Sequence, residues 1–333
     1  MGKTSQKLRS ISRPIRHRLL LIFLYLLTFL FERLPLATAQ YLGRFLGRIL
    51  SKILTPTQKL IDKHITLVFA SYPLPKRFTS TTELKKAQWQ DLGRRLGEWL
   101  AGPQSLSLFK LSSTTKKQLD EIQKRANEGH AQILLTAHFG QWELMAAYLS
   151  RMGYDFVAVA SHHPSHPLGR WIKSHRQKLG ILTVHPFGGA KTIKNILKDG
   201  NIVALLVDQS TKEKSAMIPF FGSNAPMSLT ADRLAHAFSA QVHWITNHYT
   251  DQHTYLITVV SLDHPLSAQP EKLRDASQSD QKDLEQLDFK DKLDPPNYYI
   301  LQAHHHLEQM ILLYPEQWIW LHQRWTKRQN HSL

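Results

Sequence analysis

The sequence predicts an α/β protein: a mostly parallel central sheet flanked by helices, with an N-terminal membrane-anchoring helical element. Two patterns and the composition predict this. From residue 130 onward, short β-rich runs alternate with helical stretches, the arrangement that builds a parallel sheet covered on both faces. Ahead of residue 60, eleven Lys and Arg and a single acid, Glu32, surround an apolar run. Hydrophobic residues are 42% of the 333-residue chain and charged residues 20%, which suits a packed core and not wholesale disorder.

The first segment, residues 1–55, opens with Lys3, Lys7, Arg9, Arg13, Arg16 and Arg18, followed by LLLIFLYLLTFLF at residues 19–31. That run is short of the roughly twenty residues needed to cross a bilayer. A signal peptide has a similar layout, but PLATAQ is the only candidate cleavage pattern. The chain continues as YLGRFLGRILSKIL, an amphipathic helix with its own Arg and Lys. The segment reads as an uncleaved membrane anchor, embedded in one leaflet or spanning with tilt. The bland alternative is a buried hydrophobic helix. Basic residues flanking an anchor hold anionic membrane lipids at about 1 kcal/mol each.

Residues 56–128 read as helices that pack on the core, through TPTQKLIDKHITLVFASY, TTELKKAQWQDLGRRLGEWLAG and TTKKQLDEIQKRANEG, with Gly129 closing the last. Residues 129–333 form the α/β core. Its strands are AQILLTAH, DFVAVAS, ILTVHPF, NIVALLVDQS, AQVHWITNHY and TYLITVVSL. Helices are expected near 142–152, 168–179, 190–199 and 228–239, and a last one from about 298 to 313. An acidic, proline-bracketed stretch at about 263–296 reads as a polar loop. The formal net charge of +16 calls for an anionic partner: nucleic acid, acidic headgroups or an acidic carrier protein. No nucleic-acid motif accompanies it. The absence of cysteine excludes disulfides and thiolate metal sites.

Sheets of this class bind ligands beyond the C-terminal ends of their strands. His138 stands at such an end, after ILLTA. Gly140 permits a turn, and Glu143 falls in the first turn of the next helix, a spacing that lets its carboxylate fold back toward the imidazole. A carboxylate on one ring nitrogen fixes the tautomer, and the other nitrogen can then take a proton from a hydroxyl. The competing reading is a strand-capping His and a Glu that favours a helix N-terminus.

Four stretches in order carry a family resemblance: DLGRRLGEWL, HFGQWE, LVDQSTKEKSAMIPFFGSNAPMSLTADRLAHAFSAQVHWI and PEQWIWLHQRWTKR. HFGQWE resembles the HX4(D/E) motif of the bacterial late lipid A acyltransferases, within the lysophospholipid acyltransferase superfamily, and the resemblance covers nearly the whole chain. It implies an O-acyltransferase that moves a fatty acyl chain from acyl carrier protein to a hydroxyl of a lipid A precursor, with no cofactor. It implies His138 as general base, assisted by Glu143. It implies Arg176 as the arginine that stabilises the oxyanion or binds the donor, with Arg170 as rival. It places the protein at the inner membrane, catalytic domain on the cytoplasmic face. The family often has Arg-Pro after its second strand, where this chain has SHHP, so His162 or His163 stands in place of an arginine. Acylation of a lysophospholipid or another glycolipid is the alternative within the superfamily. A non-enzymatic basic membrane-binding protein is the alternative outside it.

Asp208 and Gln209 end a strand beside the expected site and are expected at the substrate. The bland role for Asp208 is to satisfy loop amides. Arg233 is a candidate for acceptor phosphates, weighed against plain solvation. No metal is expected: SHHPSH and the HHH at 304–306 lack the acidic or thiolate partners of zinc sites. Trp318, Trp320 and Trp325 suit a membrane interface or a packed core equally. Gly222 reads as a turn residue.

Overall fold

The computed structural model describes residues 2–160, 166–185, 189–209, 215–262 and 299–325. The expected loop at 263–296 and the pair His162 and His163 lie outside them. Four helices come first: α1 (Gly2–Phe31), α2 (Leu36–Ile53), α3 (Thr55–Phe69) and α4 (Thr81–Ala101). Then follow β1 (Phe109–Lys110), α5 (Ser113–Asn127), β2 (Gln132–Thr136), α6 (Trp142–Arg151), β3 (Phe156–Val159), α7 (Pro167–Lys178) and β4 (Thr183–Val184). The chain continues through α8 (Ala190–Lys198), β5 (Ile202–Leu206), β6 (Ser215–Phe220), β7 (Ser223–Ser228) and α9 (Thr230–Phe238). It closes with β8 (Gln241–Tyr249), β9 (Tyr255–Leu262) and α10 (Tyr299–Leu313).

Seven strands form one sheet in the order β1-β9-β8-β2-β5-β3-β4. All neighbours are parallel except β8 and β9. The alternation of strand and helix therefore had the consequence expected of it. Odd-numbered residues of β2, such as Ile133 and Leu135, join Val203, Leu205 and Trp244 in a core shared with α8, α9 and α10. Leu134, Phe156, Ile202 and Ile245 face the other way, toward α5, α6 and α7. Residues β6 and β7 make a separate antiparallel hairpin, absent from the expected strand set. Phe221 and Gly222 form its two-residue turn with φ of 53° and 72°, the positive pair that twists a hairpin correctly.

Helix α2 lies on α4 at backbone contact distance. A Cβ on Gly43 would stand 2.3 Å from the Gly93 carbonyl oxygen, and one on Gly93 would stand 2.1 Å from that of Gly43. Gly47 and Gly97 repeat the contact one turn along. The LGRFLGR and LGRRLGE spacings thus put two glycine stripes face to face. Helix α1 packs a narrow stripe, Leu24, Thr28 and Phe31, against the body. Leu21 and Leu27 are half-buried beside it, and most of the remaining apolar run is exposed, with Leu19, Phe23 and Leu30 at 58–59%. On α2, Tyr41, Phe45, Ile49 and Ile53 are exposed as well. Among the described residues no helix is long and apolar enough to cross a membrane.

Candidate active site

The site is built at the C-terminal ends of β2 and β5. These strands pair in parallel with Thr136 opposite Leu206, and the Val207 N–H donates to the Thr136 carbonyl at 3.0 Å. His138 and Asp208 each stand two residues beyond that pair, so they emerge side by side. Asp208 Oδ1 lies 2.7 Å from His138 Nδ1, and Oδ2 accepts the His138 backbone N–H at 3.1 Å. The Trp318 indole donates to Oδ2 at 2.9 Å. Asp208 is buried, which works to raise its pKa. The His138 imidazole and these hydrogen bonds outweigh burial and hold the carboxyl well below the usual carboxylate range. An ionised carboxylate at Nδ1 makes that nitrogen the N–H donor and leaves the lone pair on Nε2. The His138 side chain is 16% exposed, enough for a substrate to reach it.

The expected hydrogen bond from a His138 ring nitrogen to Glu143 is replaced by a different pairing. Glu143 faces α7 from the first turn of α6 and takes Arg176 in both oxygens. Arg176 Nε donates to Oε2 at 2.9 Å, and Nη2 donates to Oε1. Glu143 departs from expectation because Asp208 already fills the Nδ1 position from the adjacent strand, while α7 supplies a forked cation to the outer side of α6. The pair is largely buried, and Glu143 outweighs desolvation to raise the Arg176 pKa. Two of the five guanidinium N–H donors are engaged by Glu143, leaving others for a ligand.

Gln209 lies over the imidazole, its Nε2 at 3.0 Å and 3.2 Å from the two ring nitrogens and 2.6 Å from His322 Nε2. An atom so nearly equidistant from both nitrogens rests against the ring rather than along the in-plane lone pair of either. Trp142 meets the imidazole edge-on at 5.0 Å. Arg170 and Arg233 are exposed; Arg233 sits on α9, across the sheet from α6 and α7. Of the two rivals, Arg176 is the one brought to Glu143.

The loop that carries His138 is clamped from two sides. From the C-terminus, the Gly140 N–H donates to the Gln317 carbonyl at 3.0 Å and the Ile319 N–H to the His138 carbonyl at 3.1 Å. The Gln317 side chain spans both backbone groups of Tyr249, at 2.7 Å and 2.9 Å. Trp318, Trp320 and Trp325 are all buried, which assigns them to the core. From α4, Arg95 Nη1 donates to the Gly140 carbonyl at 2.7 Å. Gly140 has φ of 56°, and a Cβ there would stand 2.2 Å from the Asn247 carbonyl oxygen, so no other residue fits.

Helix α4 carries a buried charge network not expected from its sequence pattern. Arg94 Nη1 donates to Glu98 Oε1 at 2.6 Å and to the Tyr255 hydroxyl oxygen at 2.7 Å, and its Nη2 pairs with Asp91. Arg95 Nε lies 2.8 Å from Asp91 Oδ2. Two cations and two anions balance, and Gln40 and Gln141 donate to Glu98 at 2.7 Å and 3.2 Å. Two adjacent arginines in an amphipathic helix ordinarily signal a solvated face; here the i, i+3 and i+4 acids were the available clue.

Between α6 and the sheet runs a narrow apolar cavity of about 60 Å³. Its upper end, at Thr136 and Leu206, lies below His138; Trp142, Glu143 and Arg176 form its polar wall. Among the described residues no group of three or more His, Asp or Glu side chains is arranged to hold a metal. His304 is spent on the Ile300 carbonyl at 2.6 Å and on Arg324 at 3.0 Å.

A family model described as bacterial lipid A biosynthesis acyltransferase matches residues 6–327. A comparison with curated proteins found no match.

Proposed function

From the premise that this chain belongs to the bacterial lipid A biosynthesis acyltransferase family, we propose that it moves an acyl chain from acyl carrier protein to a hydroxyl of a lipid A precursor. Membership makes it an acyltransferase of lipid A biosynthesis; donor, base and placement are our reading. The observation that carries this reading is the Asp208–His138 pair above an apolar cavity.

The donor chain lies in the cavity with its thioester carbonyl near His138. Nε2 takes the proton of the acceptor hydroxyl as the oxygen bonds to the carbonyl carbon. Asp208 holds the resulting imidazolium in place. The oxyanion takes the N–H groups of Arg176 not used by Glu143. The intermediate collapses, the carbon–sulfur bond breaks, and the imidazolium returns its proton to the leaving sulfur. Atoms and charge balance with no added group, and we propose no cofactor.

Helices α1 and α2 lie in the cytoplasmic leaflet of the inner membrane. A helix apolar on nearly its whole circumference, with only one stripe covered, has water-exposed area that lipid would remove. Arg44, Arg48 and Lys52 on α2, and Arg33 in the turn between the two helices, suit anionic headgroups. Helix α7 is tied to α1: the Trp171 indole donates to Thr28 Oγ1 at 3.1 Å, and Lys178 pairs with Glu32 at 2.5 Å. The helix that bears Arg176 therefore sits next to the apolar surface from which lipid substrates arrive.

The test is acyl transfer from labelled acyl carrier protein thioester to a lipid A precursor, by wild type and His138→Ala. Transfer by wild type, with a loss of about 10²-fold or more in the variant, is expected. Equal transfer by both removes His138 from the mechanism. Transfer to a lysophospholipid in place of the lipid A precursor replaces the acceptor.

A further inference from the structure

We propose that Ala158 and Ala204, paired across β3 and β5, together with Ala146 on α6, set the length of the acyl chain this site accepts. The inference deepens the acyl-transfer reading and rests on it.

The reason is the register of the sheet. Ala158 stands directly opposite Ala204, and Ala204 directly opposite Leu134. In the layer above, Thr136 pairs with Leu206; in the layer below, Phe156 pairs with Ile202. Every second residue of a strand points to the same face, so these form stacked layers on the α6 side. The middle layer carries two adjacent alanines between Leu206 above and Phe156 and Ile202 below, and Ala146 faces the same space from α6. All three alanines are half-buried although they sit inside the molecule, because the space beside them is open. A central sheet covered by a helix is ordinarily filled to crystal-like density. The cavity therefore exists because these positions, with Ala160 one layer above, stop at Cβ.

Its inner end is closed by Leu149 at the far end of α6, Phe156 at the start of β3, and Ile181 ahead of β4. From the Thr136 layer to the Phe156 layer is four residues, or about 13 Å along the strands. An extended saturated chain entering below His138 passes the alanine layer midway and meets Phe156 at the bottom. The passage is lined by carbon, with Glu143 and Arg176 neutralising each other in its wall, so the ligand part it fits is a straight hydrocarbon.

The prediction has two directions. Ala204→Leu fills the middle layer and shortens the optimum by roughly three methylenes, the carbons that Leu adds, with kcat/KM for the wild-type optimum falling about tenfold or more. Ala158→Gly widens the same layer and raises the relative rate on chains longer than the wild-type optimum. The experiment offers the purified full-length protein and both variants a series of saturated acyl carrier protein thioesters of increasing length, with lipid A precursor as acceptor. Thermal unfolding is followed alongside. Opposite shifts in the two variants are the expected result. Identical length profiles in all three proteins overturn the proposal while leaving acyl transfer intact, as does a folded Ala204→Leu that transfers no length at all. If Ala204→Leu unfolds, the lengthened profile of Ala158→Gly decides. Absence of transfer by wild type on every chain would overturn the acyl-transfer reading itself, and this inference with it.

Discussion

His138 has one carboxylate partner and a second carboxylate nearby, and the two are separable by substitution. Asp208 bonds Nδ1, while Glu143 is engaged by Arg176. In Asp208→Asn, the amide oxygen can still take the His138 or Trp318 N–H, so the fold survives. In the proposed mechanism the lost charge no longer holds the imidazolium, and we expect kcat to fall about 10²- to 10⁴-fold. The acidic limb of the pH–rate profile should move in this variant. In Glu143→Gln, that limb should stay put, and the loss should appear in donor binding, because what changes is the setting of the Arg176 fork. A profile that shifts in Glu143→Gln and not in Asp208→Asn would return the imidazole to Glu143. The Asp208 assignment illustrates a limit of reading one dimension. Two strand ends, TAH and VDQ, were visible in the sequence, each with its polar residue in the same place. The sequence set Asp208 beside the expected site, but nothing in it said that these two strands pair directly and in register.

Helix pairing carries the next prediction. The α2–α4 contact depends on four glycines whose missing side chains let backbones meet. Gly93→Ala puts a methyl into a carbonyl of the facing helix, with no flexible side chain to give way. A loss of about 1–3 kcal/mol or more is expected, read as a lowered midpoint in denaturant. Gly153→Ala is a control in open space, where only its positive φ matters. If Gly93→Ala is as stable as wild type, the helices are not held at that distance. The α4 helix then passes its position on: Arg95 holds the Gly140 carbonyl, and Gly140 begins the turn after His138. The amphipathic periods of both helices were readable from their sequences. Their closeness was not, because small residues permit contact without specifying with whom.

Across the whole molecule, two properties follow from burial and from its absence. His64, His243 and His304 are buried, and desolvation pushes their pKa values down to about 4, about 4 and about 3. Unfolded, each takes a proton below about pH 6.5; folded, it stays neutral until far lower. The unfolded state thus binds more protons in that window, so stability falls as pH drops from about 6.5 toward 4, by up to about 1.4 kcal/mol per unit per histidine. Asp232 opposes them: burial pushes its carboxyl up to about 7, so its folded form holds a proton between about pH 4 and 7. Three histidines against one aspartate leave a net loss on acidification. Urea midpoints measured across this range should decline before ordinary carboxylates titrate, and a flat profile would contradict the neutral buried histidines. The second property is the apolar surface of α1 and α2. Phe23→Glu together with Phe45→Glu should cut binding to anionic vesicles about tenfold or more, since each Phe buries about 1.5–3 kcal/mol of apolar surface. Added salt should weaken binding of the wild type through its basic residues. Salt-independent binding would remove the electrostatic share.

By itself the sequence determined the class of fold, the strand-end position of His138, the basic and apolar N-terminus, and through its four ordered motifs the family. These are properties of periodicity, of residue type and of local spacing, which need no knowledge of the partner surface. Tertiary structure alone decided that Asp208 reaches the imidazole, that Glu143 turns to Arg176, that the tryptophans fill the core, and that two arginines of α4 are buried under the site. It also decided that Ala158 and Ala204 meet across two strands beside an open cavity. Each of these is a contact between segments far apart in sequence. Strand order and register bring such segments together, and both emerge only when every face of the sheet is packed at once.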